Sequence, residues 1–144
     1  MSVRRAQESD LDALMRLGQR YCAADRAAWV PERARLGFLG LLHDDDNGVV
    51  LVCEAADEVI GYAVLTWGWS IECGGRESLL DEMYVDEPGQ GYGSELLEAV
   101  VAAAKEHGAA RVFLETEAAN ADARDFWLKR GFEIEDSVWL QRRW

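Results

Sequence analysis

The sequence is short of lysine, proline and cysteine. Lys105 and Lys129 are its two lysines, and all cations together number 15 against 27 acidic residues, a formal net charge of -12. Duplex nucleic acid as the main partner is therefore disfavoured, because its affinity comes from neutralising phosphates with Lys and Arg. The same shortage argues against docking on an anionic membrane. An acidic surface suits a cationic partner, although acidity also serves plain solubility. Three cysteines (Cys22, Cys53, Cys73) contain no CxxC pair, which fits neither a disulfide framework nor a zinc site. The surroundings of Cys22 and Cys53 read as buried, so these two are expected to act as small hydrophobes. No apolar run approaches the roughly 18 residues a membrane span needs. The start, MSVRRAQESD, has no apolar run after its arginines, so no signal peptide is expected and a reducing cytoplasm is the expected location. His43, His107 and the crowded Asp44–Asp46 give no metal set. Asp-Asp-Asp-Asn-Gly lacks the spaced ligands and distal Glu of a calcium loop.

What is present fits one globular domain: 144 residues, 49% apolar and 29% charged, a size that needs no metal or disulfide to fold. No internal repeat, linker or low-complexity segment interrupts it. Val3–Ala6 reads as a first strand. Ser9 or Asp10 caps a helix whose apolar face is Leu11, Leu14, Met15 and Leu17. Pro31 opens a second helix. Val49–Ala55 and Val59–Trp69 read as a hairpin, and Ser78–Val85 as a fourth strand. Glu95–His107 is an amphipathic helix stopped by Gly108. Arg111–Glu117 reads as a strand, Asp122–Arg130 as a helix ended by Gly131, and Phe132–Arg142 as a closing hairpin. The order predicts an α+β domain around one mixed sheet of about seven strands, with about four helices.

Between the fourth strand and the long helix the chain reads Asp86-Glu87-Pro88-Gly89-Gln90-Gly91-Tyr92-Gly93-Ser94. Glycines at alternate positions let backbone amides approach a ligand. A helix N-terminus adds unpaired N–H groups and partial positive charge. Together these suit phosphate or pyrophosphate; a plain connecting turn is the other reading. A P-loop would need Lys and Ser/Thr after the last glycine, and a dinucleotide fingerprint would need a third glycine at position 94. Neither is met.

Downstream stands Asn120-x-x-Ala123-x-x-Phe126-Trp127-x-x-x-Gly131-Phe132. With this second motif the chain resembles the GNAT superfamily of N-acetyltransferases, over nearly its whole length. The Gly91-Tyr92-Gly93 loop matches that family's Gln/Arg-x-x-Gly-x-Gly/Ala pyrophosphate loop. The run from Asn120 to Phe132 matches its Asn…aromatic…Gly-Phe helix.

The resemblance implies a GNAT fold, acetyl-CoA as co-substrate with no metal, and direct acetyl transfer to a primary amine. It implies that Met83, Tyr84 and Val85 pair with the pantetheine arm. Backbone amides of Gly89, Gln90, Gly91, Tyr92, Gly93 and Ser94 would hold the pyrophosphate, and Asn120 would contact the arm. Arg124, Lys129 and Arg130 would meet phosphates, or else occupy a solvated helix face. A base must deprotonate the amine. Asp81 and Glu82 are the candidates for base or amine anchor. Strand alternation allows only one of them to face the cleft, and a resemblance to polyamine-type members favours Asp81. Ordinary polar residues on a strand edge are the other reading.

Three departures stand out. Trp127 occupies the position where many members place a tyrosine as general acid, and an indole N–H cannot serve as one. Pro88 replaces the usual Gln/Arg. The segment from Val85 to Gly93 is about two residues short. On the acceptor side the candidates are Tyr21, Trp29, Trp67, Trp69, Glu72 and Asp81, aromatics and carboxylates suited to a cationic amine; the Trp residues could equally be core or edge-covering. Glu115 and Glu117 add charge on the next strand. The expected partner is a small-molecule amine, with neither nucleic acid nor membrane, and a homodimer is expected. The alternative is a non-catalytic acyl-CoA-binding or protein-interaction module that keeps the fold.

Overall fold

A computed structural model describes all residues, Met1–Trp144. The chain divides into two compact units, Met1–Leu114 and Glu115–Trp144. The first holds a five-stranded sheet in the order β1-β2-β3-β4-β5. Its strands are β1 (Ser2–Arg5), β2 (Gly48–Ala55), β3 (Glu58–Ser70), β4 (Gly75–Val85) and β5 (Val112–Phe113). The first four pair antiparallel. β5 joins β4 in parallel, and a parallel neighbour needs a crossover. Helix α3 (Tyr92–Glu106) supplies it.

Helices α1 (Leu11–Ala24) and α2 (Pro31–His43) cover one sheet face. Leu14, Leu17 and Phe38 pack there with Val50, Val52, Tyr62 and Val64. The alternate strand residues Val49, Leu51, Cys53, Ala63 and Leu65 are also buried. They face the other way, towards the side where α3 buries Leu96, Leu97, Val100 and Ala104.

The entry to α1 differs from a simple side-chain cap. Asp10 is its N-cap residue, but its carboxylate turns back and accepts from the Gln7 N–H at 2.7 Å. Arg4 donates to both Asp10 oxygens, at 2.8 and 2.9 Å, and to Glu54 at 2.7 Å. This network ties β1, β2 and the start of α1 together.

β4 and β5 share only two register positions, Ser78↔Val112 and Leu79↔Phe113. The buried Ser78 anchors this short pair, with its N–H and its hydroxyl both donating to the Arg111 carbonyl. The expected strand over Arg111–Glu117 is thus cut to two residues. Within the first unit, β4 from Leu80 to Val85 pairs with β3 alone.

The second unit contains α4 (Ala121–Leu128) and then chain without strand pairing from Phe132 onward. The expected closing hairpin is not formed, which is why the sheet has five strands rather than about seven. Alternating apolar residues say which face a strand would bury; they do not supply a partner ladder. Ile134, Val138, Trp139, Leu140 and Trp144 are exposed.

Candidate active site

β4 carries the central irregularity. Val64 pairs with Glu82 and its neighbour Leu65 pairs with Leu80, so Asp81 is an extra residue in the strand. Such a bulge places two residues opposite one and disturbs the alternation of side chains. Glu82 lies opposite Val64, on the α1–α2 face, while Leu80 lies opposite Leu65, on the α3 face. Tyr21, near the end of α1, interacts with both Glu82 and Asp81. The bulge removes the strict alternation on which the expectation of a single cleft-facing acid rests, and both acids lie near enough to Tyr21 to act on its phenol.

Around them stand Tyr21, Cys22 and Asp25 from the end of α1, and Tyr62 from β3. Burial pushes the Glu82 carboxyl up, Asp81 and Asp25 add to that push, and the Tyr62 hydroxyl opposes it by donating to Oε1 at 2.6 Å. Asp81 is largely exposed, yet the protein around it removes part of its hydration and raises its carboxyl as well. Burial raises the phenols of Tyr21 and Tyr62, and the neighbouring carboxylates reinforce the effect. No cation is among the groups that shift Glu82 or Asp81. The α1 C-terminus adds its own negative end to this wall.

Past the acids, β4 ends against a tight contact. A Cβ on Gly61 would stand 2.8 Å from the Tyr84 carbonyl oxygen, so only glycine lets β3 lie this close. The Tyr84 hydroxyl lies near Asp86, which Arg20 pairs at 2.6 Å. Then comes the glycine-rich loop. Gly89 and Gly91 adopt φ of 89° and 83°, values that L side chains rarely take. Gly91 is the N-cap of α3, which starts one turn earlier than its apolar pattern indicates, and no side chain caps it. Gly93 and Ser94 therefore belong to the first helical turn. An open β4 edge leading to a left-handed glycine cap fits a ligand with an amide-bearing arm and a pyrophosphate.

In the second unit, Asn120 accepts from the Ala123 N–H at 3.1 Å and caps α4. Trp127 packs edge-on between Phe126 and Phe132, at 4.8 and 5.4 Å between ring centres. Gly131, at φ 91°, allows the chain to turn so that Phe132 N–H reaches the Trp127 carbonyl. Arg130 lies over the Phe126 ring at 3.7 Å, and Arg124 donates to the Ala118 carbonyl. Lys129 is exposed.

The acceptor candidates separate. Tyr21 and Asp81 come together. Trp29 lies against Gly18 of α1, which Phe38 of α2 also approaches. Trp67 stacks on His107 at 4.8 Å with Arg76 beside it, on the α3 face. Trp69 is 78% exposed, and Glu72 sits near Arg111 by the β3–β4 turn. Asp25, Cys22 and Tyr62 join the cluster, although no motif in the sequence marks them as site residues. Asp25 stands four residues after Tyr21 and so shares its helix face. Tyr62 pairs directly with Tyr84, a register that a bulge hides from periodicity.

Comparison with known proteins identifies the family and the fold. The model of the acetyltransferase (GNAT) family matches residues 12–132. An L-methionine sulfoximine/L-methionine sulfone acetyltransferase of Pseudomonas aeruginosa is 32% identical over 114 residues, covering 77% of this chain and 60% of that protein. The chain thus spans about three-fifths of the length of that relative. An integron cassette protein from the mobile metagenome of Cole Harbour Salt Marsh superposes with a TM-score of 0.86 at 27% identity, over 98% of this chain and 89% of the other. An aminoglycoside N-acetyltransferase in complex with CoA shares the fold at a TM-score of 0.84 and 16% identity, over 99% of this chain and 93% of that one. The chain belongs to the acetyltransferase (GNAT) family.

Proposed function

We propose that this protein transfers an acetyl group from acetyl-CoA directly to a primary amine of a small cationic acceptor. The observation that carries this reading is the bulge at Asp81, which gathers Asp81 and Glu82 beside Asp25 and Tyr21 with no protein cation among them. A wall of this kind attracts an ammonium group and can also take its proton. Glu82 is the base: it is the more enclosed acid, and one of its oxygens is held by Tyr62. Asp81 and Asp25 anchor the positive charge. When bound, acetyl-CoA supplies a thioester that accepts the amine nitrogen at its carbonyl carbon and releases a thiolate.

On the donor side we assign the Met83–Val85 edge to the pantetheine arm and the backbone from Gly89 to Ser94 to the pyrophosphate. Gly91→Asp is expected to abolish coenzyme A binding in calorimetry, because it sets a carboxylate against phosphate in a strained backbone. Unchanged affinity would place the loop elsewhere. Trp127 is assigned to packing rather than to acid catalysis, so the thiolate leaves unassisted or through water. Asn120, Arg124, Lys129 and Arg130 stay assigned to the donor by resemblance.

Release of thiol from acetyl-CoA over a panel of polyamines, aminoglycosides and amino-acid derivatives, L-methionine sulfone included, tests the function. Turnover with a cationic amine is the expected result. Coenzyme A binding with no turnover on any amine would favour the acyl-CoA-binding module instead. A cytoplasmic location fits three unpaired cysteines, and analytical ultracentrifugation checks the proposed homodimer.

A further inference from the structure

Tyr62 lies in the middle of β3 with none of its surface exposed. Its ring meets Phe38 edge-on, at 5.8 Å and 75°. Its hydroxyl reaches out of this apolar packing to Glu82 Oε1, at 2.6 Å. We propose that Tyr62 is the positioning residue of Glu82, fixing one carboxylate oxygen and keeping the carboxylate charged so that the other oxygen can accept the acceptor's proton. This inference rests on Glu82 being the base.

The surroundings explain why a neutral donor is needed. The groups acting on Glu82 are Tyr62 from β3, Asp81 beside it on β4, and Tyr21, Cys22 and Asp25 from α1. None is cationic. A half-buried carboxylate among other acids tends to pick up a proton and would then be useless as a base. A lysine or arginine partner would prevent that, but it would also compete with an ammonium substrate for the same oxygens. A phenol donates one hydrogen bond and brings no charge. Because the ring is packed on all sides, the donor cannot swing away. Burial and Glu82 both raise the phenol's own ionisation, so Tyr62 remains a donor throughout the working pH range and does not act as an acid.

Tyr62→Phe keeps the ring and removes only the hydroxyl. The test reads the titration of the Glu82 carboxyl by carbon NMR in selectively labelled protein, alongside the pH profile of kcat/KM with acetyl-CoA and an amine. The variant is expected to bind a proton at Glu82 about tenfold more tightly, as loss of one hydrogen bond to a charged group implies. The rising limb of kcat/KM then moves to higher pH by the same factor, and the rate recovers above it. A merely structural defect would lower the rate at every pH. A Glu82 titration that does not move overturns the proposal. If it moves while the wild type acetylates no amine, Tyr62 still holds Glu82, and it is the proposed function that fails. Should Tyr62→Phe not fold, the wild-type hydroxyl proton of Tyr62 is followed instead. Its signal is expected to shift as Glu82 titrates, and a signal indifferent to that titration overturns the proposal.

Discussion

Asp10, at the start of α1, and Glu82, facing the other end of the same helix, are both carboxylates drawn away from bulk water, but they are held in different ways. Asp10 is bracketed by two hydrogen bonds from Arg4 and one from the Gln7 amide. The Arg4 guanidinium holds its carboxyl below the usual carboxylate range. Glu82 has one neutral donor and two acidic neighbours, and burial pushes its carboxyl above that range. The first arrangement is complete and has nothing left to offer a ligand. The second is electrostatically unfinished, and a cationic acceptor would complete it. The contrast separates an acid that builds the fold from one left available for the proposed chemistry.

The contrast breaks most visibly at Glu82. Glu82→Gln is expected to lower acetyl transfer by about 10²–10⁴-fold, the usual worth of a general base. Stability in denaturant titrations should be unchanged or higher, since a poorly compensated charge is removed. Equal activity would mean that Glu82 is a bystander. Arg4→Met should do the reverse. It removes the guanidinium shared by Asp10 and Glu54, leaving Asp10 only the Gln7 amide, and should lower stability by about 2 kcal/mol in the same titrations. Turnover per folded molecule should stay as it was.

The pH dependence carries opposite signs at the two places. Asp10 has a lowered folded pKa, so its contribution is full above its unfolded value of about 3.9 and is lost as pH falls through the folded one. Glu82 has a raised folded pKa. Its contribution is full below its unfolded value of about 4.3 and is lost as pH rises through the folded one. Stability of Glu82→Gln relative to wild type should therefore improve as pH climbs from about 4 towards neutrality. A flat difference would contradict the raised carboxyl. The smallest effect belongs to Asp81→Asn: KM for the amine should rise about 2- to 5-fold with kcat nearly unchanged, the scale of one exposed ion pair. A collapse of kcat instead would make Asp81 the base.

Much of the fold could be read from the chain, because its elements are locally consistent. Pro31 does open α2, Gly108 does follow α3, and Gly131 does end the turn after α4. The loop from Gly89 to Ser94 was legible because left-handed backbone calls for glycine. The acidic pair stands out in the sequence by its residue types, but its geometry does not. A period of two predicts opposite faces for Asp81 and Glu82, and a bulge depends on the partner strand, which local sequence does not contain. The surroundings of the Trp residues were not legible for a related reason. Trp67 and Tyr62 both look like strand core; alternation along β3 puts them on opposite faces, but which helix covers each face is a tertiary property that the strand pattern does not contain. The closing hairpin failed differently: its pattern is present, but its partner is not a local property.

The Asp81 bulge has a consequence for sequence change in this strand. In a regular strand, residues two apart share a face, so a leucine buried under α3 and a carboxylate beside Tyr62 could not sit at positions 80 and 82. One inserted residue cuts that tie. Leu80 can serve the apolar interior under α3 while Glu82 serves the opposite side, within a span of three residues. Asp81 is therefore a spacer as well as an acid. Replacing it alters one side chain, whereas deleting it would make the pairing regular, with Leu80 and Glu82 still opposite Leu65 and Val64 but now adjacent in the chain.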